Sequence, residues 1–369
     1  MKDYDFDYIK NELSLPQDIG PHSFTDMEWW YFFAFLNGEN GSKYAAVGAF
    51  YQAGELPVLK GHYLIFSLID LNKYTNHSFS LIDKKLVNNF LYINMPLYFL
   101  QCPHDKNMIK LYKTLIHNKL PYPHKWISNA SIKKDPVCLI YENSSMRFKD
   151  SVNGEFNVQF SSDHIDGNLN FISAKPVSLI GGNGKTDKLY YYSFPRNKVT
   201  GYIQKGDSKE YVTGEGWFDH QWGYLGDLLT KTGWNWMGLQ LEDGRELLIN
   251  EFFTIKTGDT FSPMANLIEP NGEVKFTRKL SLEPSNYWHS SITNTDYPLN
   301  WIIKISDFKM IIKVSAVFPE QEMQILGPLQ AIWEGTCMAS VEETKQNSDR
   351  VALKGKGFLE LVGYNNYKC

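Results

Sequence analysis

Between Met27 and Gly363 the chain runs as a succession of short apolar segments. Each is closed by a turn rich in Gly, Asn or Asp, and few windows keep a helical period over about ten residues. This pattern leaves little besides an antiparallel, mostly β fold, because parallel strands need a long crossover, usually helical, between them. Residues 27–36 (MEWWYFFAFL) end at the turn NGENG and pair with 43–51 as a hairpin. Residues 62–71, 147–160, 167–174, 189–194, 199–205 and 210–218 follow as strands. The clearest hairpin is 234–241 with 246–255 around Asp243-Gly244. Later strands are expected at 272–280, 300–305, 309–317, 331–341 and 357–363, and a short helix within 86–100.

A chain of 369 residues, 43% hydrophobic, can bury two cores. Two antiparallel barrels or sandwiches are therefore expected, residues 1–225 and 226–369, joined within 223–233. Aromatics are 15% of the chain, and they favour strands and line apolar pockets. A barrel of about eight strands holds one small ligand. The net charge of -4, with both signs interspersed, gives no footprint for nucleic acid and no push toward an anionic membrane. No stretch reaches the ~20 apolar residues of a spanning helix, so no integral membrane segment is expected. The polar start MKDYDFDYIKNELSLP is not a signal sequence. It points to a cytoplasmic protein, or to a mature form whose leader has been removed. Cys102, Cys138, Cys337 and Cys369 form no CxxC pair and read as free thiols in a reducing compartment.

Several segments concentrate chemistry. Glu28 stands beside Trp29, Trp30 and Tyr31, and a carboxylate among aromatics is costly to bury unless paired. His62 opens a strand. In 190–193 (YYYS), Tyr191 faces one way and Tyr190 and Tyr192 the other. The richest stretch is 214–223, GEGWFDHQWG. Alternation puts Trp217, Asp219 and Gln221 on one face and Phe218, His220 and Trp222 on the other. Asp219 could orient a histidine, or serve as an acid if desolvated. Trp234 and Trp236, and Trp333 beside Glu334, add further indoles and a carboxylate. Each of these also admits a plain reading as core or edge residues.

Seven of these stretches, in this order, resemble the carotenoid hydratase and AttH superfamily. They are EWWYFFAFL, His62 opening its strand, YYYSFPRNKVTGYI, GEGWFDHQWG, WNWMGLQLEDGRELL, IWEGTCMASV and GKGFLELVGY. Together they span roughly residues 20–369. The resemblance implies two packed lipocalin-like barrels with a ligand near or between them. It also implies kinship with carotenoid hydratases and with lipocalin-like cyclases of the Diels–Alder type. His220 stands where the AttH branch often carries Arg, which leans toward catalysis.

No HxH, HExxH or Cys/His ligand spacing occurs, so no metal is expected. No GxSxG elbow, GxGxxG or P-loop appears, so neither a serine nucleophile nor a nucleotide cofactor is expected. The expected activity is cofactor-free chemistry on a carbon–carbon double bond of a hydrophobic polyene, isoprenoid or polyketide. Acid-initiated hydration or cyclisation comes first, then a pericyclic cyclase, then a non-catalytic lipid or pigment carrier. Asp219, His220 and Tyr191 are the candidate catalytic residues. Glu28, Trp29, Trp30, Tyr31, His62, Tyr192, Trp222, Trp234, Trp236, Trp333 and Glu334 are the candidates for substrate contact. The partner is a hydrophobic small molecule.

Overall fold

A computed structural model describes residues 13–54, 59–186, 189–225, 231–344 and 350–365. The fold is 61% strand and 11% helix, as the turn-punctuated apolar pattern dictates. One sheet has 14 strands and curls into a nearly closed barrel. The second has 10 strands and forms a half-barrel. All strand pairs are antiparallel except Ser80–Asp83 with His124–Ile127. The first sheet ends at Gly223 and the second begins at Thr232. The expected boundary at 225/226 falls against residues 226–230, outside the described residues.

Alternation of side chains builds three cores. In Met27–Gly38, Trp30, Phe32, Ala34 and Leu36 fill the first barrel. Tyr31, Phe33 and Phe35 point the other way, into the layer between the two sheets. Leu189–Lys205 and Ser208–Gly223 divide in the same way. On the second sheet, Trp236, Leu248, Phe358 and Val362 enter the shared layer. Met237, Leu239, Trp333 and Leu359 fill the half-barrel. The barrel of about eight strands invoked above could hold a ligand, but here the first barrel is filled by aromatic rings such as Phe66, Phe156 and Phe218.

A buried ion cluster also ties the sheets together. Glu246 accepts from Arg196 Nε at 2.6 Å and from Lys175 Nζ at 2.5 Å. Arg196 sits at a bulge between Phe194 and Asn197, where Pro195 has no N–H to give to the ladder.

The expected short helix is present as Lys84–Asn89, a π turn at Phe90–Asn94, and Met95–Gln101. A further helix, Lys106–Ile116, is capped by Asp105, whose carboxylate accepts from the amides of Asn107 and Met108. No helix among the described residues is long and apolar enough to cross a membrane.

The free-thiol expectation needs correction. Cys138 and Cys337 are free and buried, but Cys102 is disulfide-bonded. Cys369 lies outside the described residues. Disulfides persist in oxidising compartments, so Cys102 runs against the reducing-compartment reading.

Candidate active site

Asp219 and His220 are neighbours in sequence, yet β alternation sends them to opposite faces of Ser208–Gly223. Two separate polar clusters result. An intact sheet lies between them.

The first cluster lies in the layer between the sheets. Register places Tyr31 and Ser193 on either side of Asp219, and Glu334 opposite Glu360. Asp219 is buried and accepts three hydrogen bonds. Tyr191 Oη donates to Oδ2 at 2.6 Å, and Trp217 Nε1 to Oδ1 at 2.6 Å. Ser193 Oγ also donates to Oδ1. Burial nevertheless outweighs these donors and pushes the carboxyl up to about 7. Trp236 Nε1 donates to Tyr191 Oη at 2.9 Å, so the second sheet completes the arrangement. Gly238 permits this, because a Cβ there would lie 2.5 Å from the Trp236 ring.

Glu334 accepts from Tyr31 Oη at 2.8 Å, and Glu360 from Trp234 Nε1 at 3.1 Å. Burial raises Glu334 well above the carboxylate range, and the Glu360 charge adds to it. Glu360 is raised too, by burial and then by the charge of Asp219. Two carboxyl groups facing one another in an apolar layer keep at least one proton between them at neutral pH. Among the described residues no donor reaches Glu334 Oε2 or Glu360 Oε1. Asp219, by contrast, has both oxygens engaged.

Indole and phenol faces surround the carboxyls. Tyr31 meets Trp236 edge-on at 5.4 Å, and Trp217 meets Trp236 at 6.2 Å. Trp29, Tyr51, Tyr63, Trp234 and Glu360 keep partial exposure, while Asp219, Tyr191 and Glu334 are buried. The Glu360 side is therefore the part of this layer nearest solvent.

The second cluster closes one end of the first barrel. Glu28 is fully buried, and its Oε1 meets His22 Nδ1 at 2.7 Å and His220 Nε2 at 2.9 Å. His220 Nδ1 meets Tyr192 Oη at 3.1 Å, and His22 Nε2 meets Asp18 at 3.3 Å. His22 stacks flat on Trp222 at 4.1 Å, and Trp30 stacks on His220 at 4.6 Å. Burial favours a neutral Glu28, but hydrogen bonds from His22 and His220 outweigh it and lower the carboxyl. Burial also pulls both imidazoles down. For His22 the Asp18 and Glu28 carboxylates reverse this, so it lies above its ordinary value, whereas His220 stays below. Proton affinity therefore shifts toward His22 and away from Glu28 and His220. His22, Glu28 and His220 are also the one set among the described residues whose ligand atoms lie close enough to hold a metal ion, within 4.8 Å of one another.

The expected contact residues thus divide. Trp29, Tyr31, Trp234, Trp236 and Glu334 gather with Asp219 and Tyr191 between the sheets. Glu28, Trp30, Tyr192 and Trp222 gather with His220 in the barrel. His62 belongs to neither: its Nδ1 meets Asp83 at 2.8 Å, and its ring lies edge-on to Tyr141. Trp333 turns away from Glu334 into the half-barrel core, where its Nε1 donates to the Pro319 carbonyl. Sequence reasoning passed over Glu360 and Ser193 although both lie in the quoted stretches. Glu360 alternates with Phe358 and Val362, which was the available signal. His22 left no comparable trace, because it lies outside any strand and meets Asp18, Glu28 and Trp222 at separations of 4, 6 and 200 residues.

Comparison with known proteins agrees with this architecture. The AttH-like family model matches residues 115–364. A protein named dehydratase asqC from Emericella nidulans is 28% identical over 182 residues. That match takes in 43% of this chain and about half (48%) of the relative's length. The fold is similar to the crystal structure of an AttH protein from Nitrosomonas europaea, with a TM-score of 0.71 and 18% identity over 96% of this chain and 98% of that one. It is also similar to kievitone hydratase from Nectria haematococca, with a TM-score of 0.68 and 15% identity over 95% and 93%. CghA follows with 0.56 and 11% over 98% and 96%. With two-thirds of its length matched by the family model and both sheets shared with these structures, the chain belongs to the AttH-like family.

Proposed function

We propose that this protein is a cofactor-independent enzyme that adds water to, or removes it from, a carbon–carbon double bond of a hydrophobic substrate. Ring closure of the same cation is the variant outcome. The observation that carries this reading is the facing pair Glu334 and Glu360, with raised carboxyls and one unengaged oxygen each, in a layer of indoles and phenols. The names of the hydratase and dehydratase relatives support it.

In the hydration direction, protonated Glu334 transfers its proton to one alkene carbon. The π pair forms the new C–H bond and leaves a cation on the other carbon. The faces of Trp234, Trp236 and Tyr31 stabilise that cation. A water oxygen then bonds to it, and the proton released passes to a carboxylate of the pair, Glu360 or the now ionised Glu334. Dehydration runs the same steps in reverse. Asp219 is a positioning residue in this scheme: it fixes the Tyr191 phenol, and its charge favours the protonated form of Glu360. General acid–base work of this kind contributes about 10²–10⁴-fold.

The test is incubation of the pure protein with a total hydrophobic extract in ¹⁸O-water, read by mass spectrometry. A product gaining one labelled water, or losing one water, supports the proposal. A product of unchanged mass but altered mobility supports cyclisation. One apolar compound recovered unchanged makes the protein a carrier and removes the catalytic assignments.

A further inference from the structure

The helical segment Lys84–Ile116 packs one apolar stripe inward and leaves a second bare. Leu91, Met95, Tyr98 and Cys102 form the buried stripe, with Tyr63, Trp126 and Leu326 packed against the same core. On the far side, Tyr92 is 68% exposed, Ile93 42%, Leu97 57% and Leu100 80%. Ile93, Leu97 and Leu100 follow a spacing of four and three and so share one face. A helix apolar all round belongs in an interior or a membrane, and this one is half in water.

Charge supplies the second observation. Residues 84–119 hold six lysines, at 84, 85, 106, 110, 113 and 119, against a single acidic residue, Asp105. Asp105 is buried at its helix cap and takes the Tyr98 phenol at 2.6 Å, while all six lysines are exposed. The chain as a whole is at -4, so this segment is a local reversal that the total conceals. Lys106, Lys110, Lys113 and Lys119 line one shallow groove along the last helix.

We infer that this helical cap docks on an anionic lipid surface, with Ile93, Leu97 and Leu100 entering the acyl boundary and the lysines meeting headgroups. Amphipathic interfacial segments bind by this combination of buried apolar area and attraction to anionic lipid. The position suits a hydrophobic cargo. Tyr63, which packs against the cap core, also belongs to the layer between the sheets, and its hydroxyl accepts from the Leu326 amide at 3.2 Å. The cap therefore stands beside this layer. The inference itself does not depend on the catalytic reading, since binding is measured without turnover.

The experiment is co-sedimentation of the full chain with phosphatidylcholine vesicles, with and without phosphatidylglycerol. The wild type should sediment with the anionic vesicles, and less so as salt rises. Leu97→Asp with Leu100→Asp, and separately Lys106→Glu with Lys110→Glu and Lys113→Glu, should each weaken partitioning at least about tenfold. All five side chains are exposed, so circular dichroism should stay unchanged. Failure of the wild type to bind anionic vesicles overturns the inference. So does binding by both variants at wild-type strength. A dimer that Leu97→Asp with Leu100→Asp converts to monomer, without vesicle binding by the wild type, assigns the stripe to self-association instead.

Discussion

Replacing Asp219 by Asn keeps the shape of the side chain and removes its titration. The folded carboxyl titrates at about 7, against an ordinary value of 3.8. A carboxyl whose folded value is raised supports folding fully below its unfolded value and loses that support as pH rises through the folded value. The window therefore runs from about pH 4 to about pH 7. Roughly three pH units at about 1.4 kcal/mol each make the loss about 4 kcal/mol in the wild type. The variant has no such slope at this position, whatever constant offset the amide introduces. Urea unfolding followed by tryptophan fluorescence at pH 4, 5, 6, 7 and 8 measures the difference. The stability of Asp219→Asn minus that of the wild type should rise by a few kcal/mol across the series. Glu334 and Glu360 titrate in both proteins, so their contribution largely cancels. A difference flat across the series refutes the raised Asp219 carboxyl that its burial implies.

Other outcomes follow from the same contacts. Glu28→Ala removes the carboxylate that holds His22 and buried His220, and should destabilise the fold by about 3–5 kcal/mol in thermal or urea unfolding. Glu246→Ala removes the carboxylate shared by Lys175 and Arg196, leaving Lys175 with backbone carbonyls alone and Arg196 with Glu215, and should destabilise the fold by a similar amount. Gly238→Val drives a side chain into the Trp236 ring. It should cut turnover and disturb near-ultraviolet circular dichroism while far-ultraviolet spectra hold. Alkylation of denatured, unreduced protein with peptide mapping should label Cys138 and Cys337, and should label Cys102 only after reduction.

The fold was legible because strand patterns are local. The run MEWWYFFAFL, the Asp243-Gly244 turn and the alternation in GEGWFDHQWG each state a strand and its two faces within ten residues. The site was legible only in part. Asp219 with Tyr191, and Trp234 with Trp236, announced themselves as local clusters of unusual composition. Glu334 and Glu360 are 26 residues apart and become a pair only through the register of Ala331–Thr344 with Arg350–Val362. His22 reaches Glu28 and His220 from a segment outside any strand, which no periodicity could reveal. The helix Lys106–Ile116 carries its own signal in the Asp105 cap and the spacing of Met108, Leu111, Tyr112 and Leu115, but it is one short helix in a chain whose pattern is set by strands.

The central claim is that proton transfer belongs to the carboxyl pair between the sheets and not to the histidine cluster inside the barrel. The most direct measurement is single-turnover conversion of whatever compound the labelled-water incubation identifies. It should be run with Glu334→Gln, Glu360→Gln and His220→Gln, each first shown to be folded. The account predicts a loss of about 10²-fold or more for both glutamate variants and near wild-type rates for His220→Gln. Full activity in both glutamate variants, or a comparable loss confined to His220→Gln, contradicts it and moves the chemistry into the barrel.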